Sequence, residues 1–354
     1  MKKNIYHYAI AVLFMLTAMS CEKQTETEAT TDNNFKIVDI DFSNEKDVYF
    51  SQIADSITYV QLETNKECLI GQITDVKYKN GIYYISDKSY TIFLFDNKGK
   101  FISKLNKVGQ GPGEYSYIQS FDVDTKGNIH ILDLFTKKIL VYTSDIEFTS
   151  STSGIEDLPQ EFYVTDEKYV LYMLFENLNY RRGLYSLDRE TDQYTEIIKI
   201  QGGDTPRTNG YITHKGNGNY CVLDDLSSNI YYLQKDSLIN TIHIQGEEIS
   251  EGKYFDTRRG TSYFLRGFYD YDNLLFLLLG KEGAFAKFCI HDKKKNKTFV
   301  CKEVHNDIKE EKREHLFSTN IASDNAMVNL LLSVDEENPL EENNPVIQKI
   351  HLKK

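Results

Sequence analysis

The sequence predicts an all-β chain, a six-bladed β-propeller whose last blade is closed by an N-terminal strand. Three observations carry this. First, Gly81-Ile-Tyr-Tyr-Ile-Ser-Asp87 returns 46 residues later as Gly127-Asn-Ile-His-Ile-Leu-Asp133, and 91 residues beyond that as Gly218-Asn-Tyr-Cys-Val-Leu-Asp224. A period in the forties with one strand per copy is the mark of propeller blades. Second, the 354 residues include 25 Tyr and 20 Phe but no Trp, an aromatic richness that favours strands. Third, Ser56-Ile-Thr-Tyr-Val-Gln-Leu-Glu63 alternates like a strand yet has no sequence-adjacent partner, while the C-terminal end of the chain is one strand short of a blade.

Taken in order, Ile73 to Tyr78, Gly81 to Ser86, Thr91 to Phe95 and Phe101 to Leu105 make the first blade. Its hairpins are marked by Lys79-Asn80-Gly81 and Asp96-Asn-Lys-Gly99. The second blade runs from Ile118 to about Ser151, the third from Glu161 to Ile200 and the fourth from Tyr211 to Ile244. Each contains a copy of the repeated strand, read as the inner strand of its blade. The fifth, Phe264 to Val304, is centred on the apolar run Asn273-Leu-Leu-Phe-Leu-Leu-Leu279, buried on both faces and far too short to span a bilayer. The sixth begins near Leu316, continues through Ala326 to Val334 and ends with Val346 to Leu352. Ser56 to Glu63 supplies its missing strand and removes the free edges of an open ring.

The N-terminus reads as a targeting segment. Lys2 and Lys3 form a basic start, Ala9 to Ala18 an apolar stretch of signal-peptide length, and Ala18 and Ser20 lead into Cys21. This pattern resembles a bacterial lipoprotein signal, which implies cleavage after residue 20 and lipidation of Cys21. The alternative is an ordinary secretory signal cut nearby. Residues 21–34, rich in Thr and Glu, are expected to be a disordered tether, and 35–354 the propeller.

The formal charge of −12 argues against non-specific nucleic-acid binding and mainly implies solubility. The remaining cysteines are Cys68, Cys221, Cys289 and Cys301, with no CxxC and so no support for a zinc or redox site. Cys289 and Cys301 flank the turn Lys293-Lys-Lys-Asn296. A register placing 290 opposite 300 would set them face to face for a disulfide, and a one-residue slip would leave two packed thiols.

The order of Cys21, Tyr59-Val-Gln-Leu-Glu63, Phe95-Asp-Asn-Lys-Gly-Lys-Phe101, Gly109-Gln-Gly-Pro-Gly-Glu-Tyr115 and Asn344-Pro-Val346 resembles the six-bladed β-propeller lipoproteins of Gram-negative gut anaerobes, which are NHL-like in architecture. The resemblance spans residues 35–354 and is specific mainly in 56–142. It implies fold and a lipid-anchored outer-membrane location, on either side of that membrane, rather than an activity.

Motifs for chemistry are sparse. Gly109-Gln-Gly-Pro-Gly has a G-x-G spacing, but Glu114 and Tyr115 follow where a phosphate loop needs Lys and Ser or Thr, so the segment reads as the joint between blades one and two. Asp122, Asp124, Gly127 and Asp133 have calcium-loop spacing with Lys126 at an intervening ligand position, and the hairpin context makes this a turn. No HExxH or Gly-x-Ser-x-Gly occurs, and no cofactor or metal is expected.

In a blade, the turn between strands two and three shares a face with the joint to the next blade. Of eight arginines, Arg181, Arg182, Arg207, Arg258 and Arg259 fall in those loops, and Arg266 begins the adjoining strand. Arginine forks suit carboxylate, phosphate or sulfate. These six residues, with Tyr90 and Tyr115 (and Tyr180 and Tyr254) as stacking surfaces, are the candidate ligand site, against the alternative that the arginines pair with local acids such as Asp204, Glu251 and Asp256. The expected function is an envelope-anchored, non-enzymatic propeller presenting this face to a glycan, peptide or protein partner. A hydrolase or lyase centred on the channel and a structural subunit of an outer-membrane assembly are the alternatives.

Overall fold

The computed structural model describes residues 34–153, 155, 159–173, 182–200, 212–216, 219–224, 227–249, 263–281, 284–308, 326–331 and 343–354. The signal, the tether up to residue 33 and Cys21 lie outside them.

Alternating apolar residues with Gly and Asx turns between them produce short antiparallel strands, which assemble as six small sheets in a ring, the arrangement of a six-bladed β-propeller. The first sheet comprises β4 (Ile73–Lys79), β5 (Ile82–Asp87), β6 (Ile92–Asp96) and β7 (Phe101–Leu105), in that order. The second is β8 (Ile118–Val123), β9 (Ile129–Asp133), β10 (Lys138–Tyr142) and β11 (Phe148–Ser151), and the third is β12 (Glu161–Val164), β13 (Lys168–Met173), β14 (Gly183–Asp188) and β15 (Tyr194–Lys199). The fourth holds β16 (Ile212–Gly216), β17 (Asn219–Asp224), β18 (Asn229–Gln234) and β19 (Ser237–Gln245). The fifth holds β20 (Phe264–Asp270), β21 (Leu274–Lys281), β22 (Ala284–Asp292) and β23 (Lys297–His305). In the sixth, β24 (Ala326–Leu331) and β25 (Val346–Leu352) join β3 (Ala54–Gln61).

The expected closure is present. β3 runs antiparallel to β25, with Gln61 opposite Val346 and Ile57 opposite Ile350. Asn344, 1% exposed, clasps this seam. Its Nδ2 donates to the carbonyls of Glu63 (2.6 Å) and Cys68 (2.7 Å), and its Oδ1 accepts from Ile70 N (2.8 Å). Gly99, at φ +83°, brings the first blade so close that an added Cβ would lie 2.1 Å from the Gln61 carbonyl oxygen. Only glycine fits there.

Two features differ from the sequence reading. The repeated strands β5, β9 and β17 are second strands rather than the innermost ones. β8 lies against both β4 and β12, and β12 against β16, so the first strands surround the axis. A second strand is flanked on both sides, and residues 129–133 are buried without a break. Such a strand gives the strongest apolar signal in the chain. In addition, β1 (Asn34–Asp39) and β2 (Glu45–Tyr49) add in parallel to the outer strands β19 and β23, and a single helical turn, α1 (Phe50–Ile53), leads on to β3. This arm inserts Val38, Ile40 and Val48 into the core and covers two sheet edges.

The core is divided among the seams between neighbouring blades. Tyr84, Ile92 and Leu94 pack on Phe121, Ile129 and Tyr142 across the first seam, and equivalent clusters fill the other five. Polar links cross the seams too. Fully buried His130 contacts Asp124 Oδ2 through Nε2 (3.3 Å) and the Tyr169 hydroxyl of the third blade through Nδ1 (3.1 Å). Asp124 also accepts Asn128 N and Nδ2, both at 2.8 Å. Burial works against its carboxylate, but hydrogen bonds from His130 and Asn128 outweigh that and hold it below the usual carboxylate range.

Cys289 lies opposite Val300 and Cys301 opposite Phe288, one residue off the register that would pair the two cysteines. Their side chains therefore serve different seams, and both are free thiols. Among the described residues no helix is long and apolar enough to cross a membrane.

Two stability predictions follow from these contacts. Asn344→Ala should cost about 2–4 kcal/mol by stranding buried backbone groups at the closure, read as a lower urea midpoint. Asn344→Asp should do no better, because it sets a carboxylate oxygen against two carbonyls. The lowered pKa of Asp124 contributes stability that is present above its unfolded value of about 3.9 and is lost as pH falls through the folded value. Asp124→Asn should therefore destabilise by about 1–3 kcal/mol at neutral pH, with the gap to wild type narrowing below about pH 4 in pH-resolved urea melts.

Candidate functional site

The loop face is held by the aspartates that end the repeated strands. Asp87 ends β5; its Oδ1 accepts Ser89 N (2.9 Å) and Ser89 Oγ (2.6 Å), while its Oδ2 accepts Gly71 N (2.9 Å) from the incoming joint. Asp133 does the same at the end of β9. Fully buried, it accepts Tyr117 N (3.1 Å) and Ser116 N (3.3 Å) from the joint, and Phe135 N (3.3 Å) and Thr136 Oγ1 (2.8 Å) from its own turn. Asp224 accepts the Ser227 hydroxyl (2.5 Å). At Asp87 and Asp133 the repeated Asp is therefore a staple between a turn and the neighbouring joint.

The joint Gly109 to Tyr115 is closed on itself. Glu114 Oε2 accepts Gly111 N (2.8 Å), Gly109 N donates to Tyr115 O (2.9 Å), and an added Cβ on Gly113 (φ +72°) would meet the Phe148 ring at 2.6 Å. Its own carboxylate occupies the place where a phosphate would sit. Asp122 and Asp124 are equally committed, Asp122 Oδ2 accepting Val164 N (2.8 Å), and Asp133 is at the far end of β9 from Asp124, so these acids do not converge as a calcium loop would require.

Tyr115 is not a stacking surface. It is fully buried, and its hydroxyl, pushed up to about 12 by burial, donates to Tyr90 O (2.7 Å) and Leu105 O (3.2 Å). It acts as a positioning residue for Tyr90, whose φ of +59° is a conformation bulky side chains rarely adopt. The Tyr90 ring lies 4.7 Å from that of Tyr117 at 49°, and Tyr117 lies 6.1 Å from Phe135 at 89°. Phe135 is 70% exposed. Tyr90, Tyr117 and Phe135 thus form a row across the first two blades, anchored by Tyr115 at one end and by Asp133 at the other.

Of the arginines, Arg182 is 1% exposed and its guanidinium donates to the Tyr172 hydroxyl (3.2 Å), which makes it a core residue and not a ligand fork. Arg266 is half-buried on β20, a first strand. Arg181, Arg207, Arg258 and Arg259, with Tyr180 and Tyr254, lie outside the described residues. The sequence reading missed Tyr117 and passed over Phe135. The available signal was a large aromatic in a polar turn, directly after Asp133-Leu134.

Around the axis, Lys77 on β4 pairs with Asp75 (3.1 Å). Burial works to lower the Lys77 pKa, but Asp75, Glu161 and Asp122 outweigh it and keep the amine charged, the wrong state for a nucleophile or base. Glu161, like Asp122, reaches forward to a backbone N–H of the next blade, here Ile212 (3.4 Å). These carboxylates bind blade to blade. At the outer edge of the fifth blade, Asp47 on β2 and Glu303 and His305 on β23 bring metal-type donor atoms within 4.8 Å of one another, half-exposed or exposed and remote from the aromatic row. An open surface depression of about 510 Å³ lies at the rim of the sixth and first blades, lined by Gln61, Glu63, Thr64, Lys98, Lys100 and Asn343.

The fold is shared with known structures. A Bacteroides fragilis protein described as a candidate exported protein superposes with a TM-score of 0.67 at 16% identity, covering 90% of this chain and 100% of that one. A DUF4221 family member from Bacteroides vulgatus superposes with a TM-score of 0.54 at 11% identity, covering 85% of this chain and 98% of that one. A search of curated protein sequences found no match. The domain of unknown function DUF4934 matches residues 35–354, and the chain belongs to that family.

Proposed function

We propose that the protein is an envelope lipoprotein that binds a glycan, without turning it over, on the loop face of its first two blades. The observation that carries this is the row of Tyr90, Tyr117 and Phe135, three rings held in fixed relative positions by buried polar anchors and ending in a phenyl group 70% exposed. A rigid aromatic surface binds at low entropic cost, and sugar rings present C–H faces to it while their hydroxyls remain solvated. The charged groups near the axis are engaged with one another and with neighbouring blades, which favours binding over catalysis. The envelope address draws on the lipoprotein-type pattern from Lys2 to Cys21 and on the exported protein of the same fold. An acidic glycan would engage the loop arginines Arg181, Arg207, Arg258 and Arg259 as well. Whether the protein faces the periplasm or the cell surface is tested by protease accessibility on intact cells.

Calorimetric titration with a panel of neutral and acidic oligosaccharides tests the reading. Phe135→Ala should weaken the best ligand by about 10-fold or more, with unchanged thermal stability because the ring is exposed. An Arg207→Ala, Arg258→Ala double variant should weaken only acidic glycans. Equal binding by wild type and Phe135→Ala would sink the proposal, and shortened oligosaccharides after incubation would replace it with a hydrolase or lyase reading.

A further inference from the structure

The parallel docking of β2 on β23 gathers three metal-type donors on the outer rim of the fifth blade. Register sets Val48 opposite Val304 and Tyr49 opposite His305, and it shifts between Lys46 and Val48, so that two steps along β2 match three along β23, from Cys301 to Val304. Val48 and Val304 pack into the cluster shared by the fifth and sixth blades. Neighbouring residues of a strand face opposite ways, which turns Asp47, Glu303 and His305 outward together. One donor atom from each lies within 4.8 Å of the other two. The His305 ring is steadied by stacking on Tyr49, with centroids 4.9 Å apart at 25°. Its Nε2 then stands 3.9 Å from Asp47 Oδ2 and 3.8 Å from Glu303 Oε2, too far for hydrogen bonds. Among the described residues this Nε2 has no hydrogen-bond partner although it is closed off from solvent, and the same holds for Asp47 Oδ1.

We propose that Asp47, Glu303 and His305 bind a divalent transition-metal ion of the zinc class, which clasps the N-terminal arm to the fifth blade. The acids on either side already have partners in the protein. Glu45, two residues before Asp47, pairs with Lys287, and Asp307, two after His305, accepts Ser51 N (2.8 Å) and the Ser51 hydroxyl. These contacts pin β2 on both sides of Asp47, so the three donors are held together by the fold. Among the described residues, Asp47 and Glu303 form no ion pair with a lysine or arginine and share only the imidazole between them. Two carboxylates and an unbonded ring nitrogen, all acceptors when the imidazole is neutral at Nε2, are satisfied together by a cation. The donor set selects its class. Calcium and magnesium take oxygen shells, whereas an imidazole nitrogen with two carboxylates suits zinc and its first-row neighbours. Zinc–ligand bonds of about 2.0–2.2 Å set tetrahedral donors about 3.4 Å apart, so the carboxylates have to close in by about half an ångström. Glu303, long and exposed, has the freedom to do so. Three protein donors leave a fourth position for water.

Zinc chloride titrated calorimetrically into the full chain, stripped beforehand with EDTA, tests the site. The expected result is one zinc ion per chain with a Kd of about 10 μM or tighter, weakened about 10-fold or more by His305→Gln and, separately, by Glu303→Gln. His243→Gln, on β19 of the fourth blade, should bind as the wild type does. Glu303 is exposed, so its substitution leaves the fold intact, as circular dichroism would verify. Zinc should also raise the melting temperature of the wild type and not that of His305→Gln, because the donors meet only where the arm is docked. No binding by the wild type, or equal binding by the wild type and both site variants, would overturn the proposal. A loss in His243→Gln as large as in His305→Gln would show unspecific histidine contacts and overturn it too. Displacement of zinc by an equal concentration of calcium chloride would overturn the transition-metal assignment and leave a patch of acidic surface.

Discussion

The architecture depends on one non-local pairing, the antiparallel docking of β3 onto β25. Residues almost 300 positions apart in sequence, such as Ile57 and Ile350, are opposite each other there. Until that pairing forms, the ring has two raw edges, and the first strand of the first blade has nothing to pack against on one side. The seam is accordingly tied by several buried bonds. Asn344 draws together backbone groups of Glu63, Cys68 and Ile70, and Gly99 allows the first blade to approach within van der Waals reach of β3. The entropy cost of closing so long a loop grows only slowly with its length, so a modest set of buried bonds is enough to hold it.

The other seams repeat a similar logic with different residues. Apolar second strands pack blade against blade, and buried carboxylates reach across to backbone N–H groups of the next element. Asp87 and Asp133 staple turns to joints on the loop face, Asp122 and Glu161 staple first strands to the following blade, and Asp124 is bridged through His130 to Tyr169. Much of what looks in the sequence like acidic site chemistry is thereby spent on architecture. The aromatic row is a by-product of the same staples, since the carboxylate that fixes the second blade's turn also sets the backbone of Tyr117 and Phe135.

Blade count, closure and the joint at Gly109 to Tyr115 were legible because they rest on local patterns, namely period, alternation and turn chemistry. The parallel docking of β1 and β2 was not. Each is short, makes no hairpin, and pairs with a strand some 200 or more residues away. The register of Cys289 and Cys301 was also out of reach, because a one-residue slip in a hairpin moves the two side chains from one face to opposite faces and leaves the composition untouched. Arg182 misled for a related reason. A loop position next to a strand end says nothing of whether the side chain turns outward or, as here, folds inward to a buried tyrosine hydroxyl.

By itself, then, the sequence determined that the chain is a ring of six β blades and which strand closes it, because strand propensity and turn formation are properties of neighbouring residues. The tertiary structure decided which side chains share a surface. Tyr90, Tyr117 and Phe135 come from two turns and a joint spread over 46 residues, and Phe35 reaches His243 only through the parallel register of β1 on β19. The aromatic row is set by packing between the first two blades, and that packing depends on distances that no local pattern records.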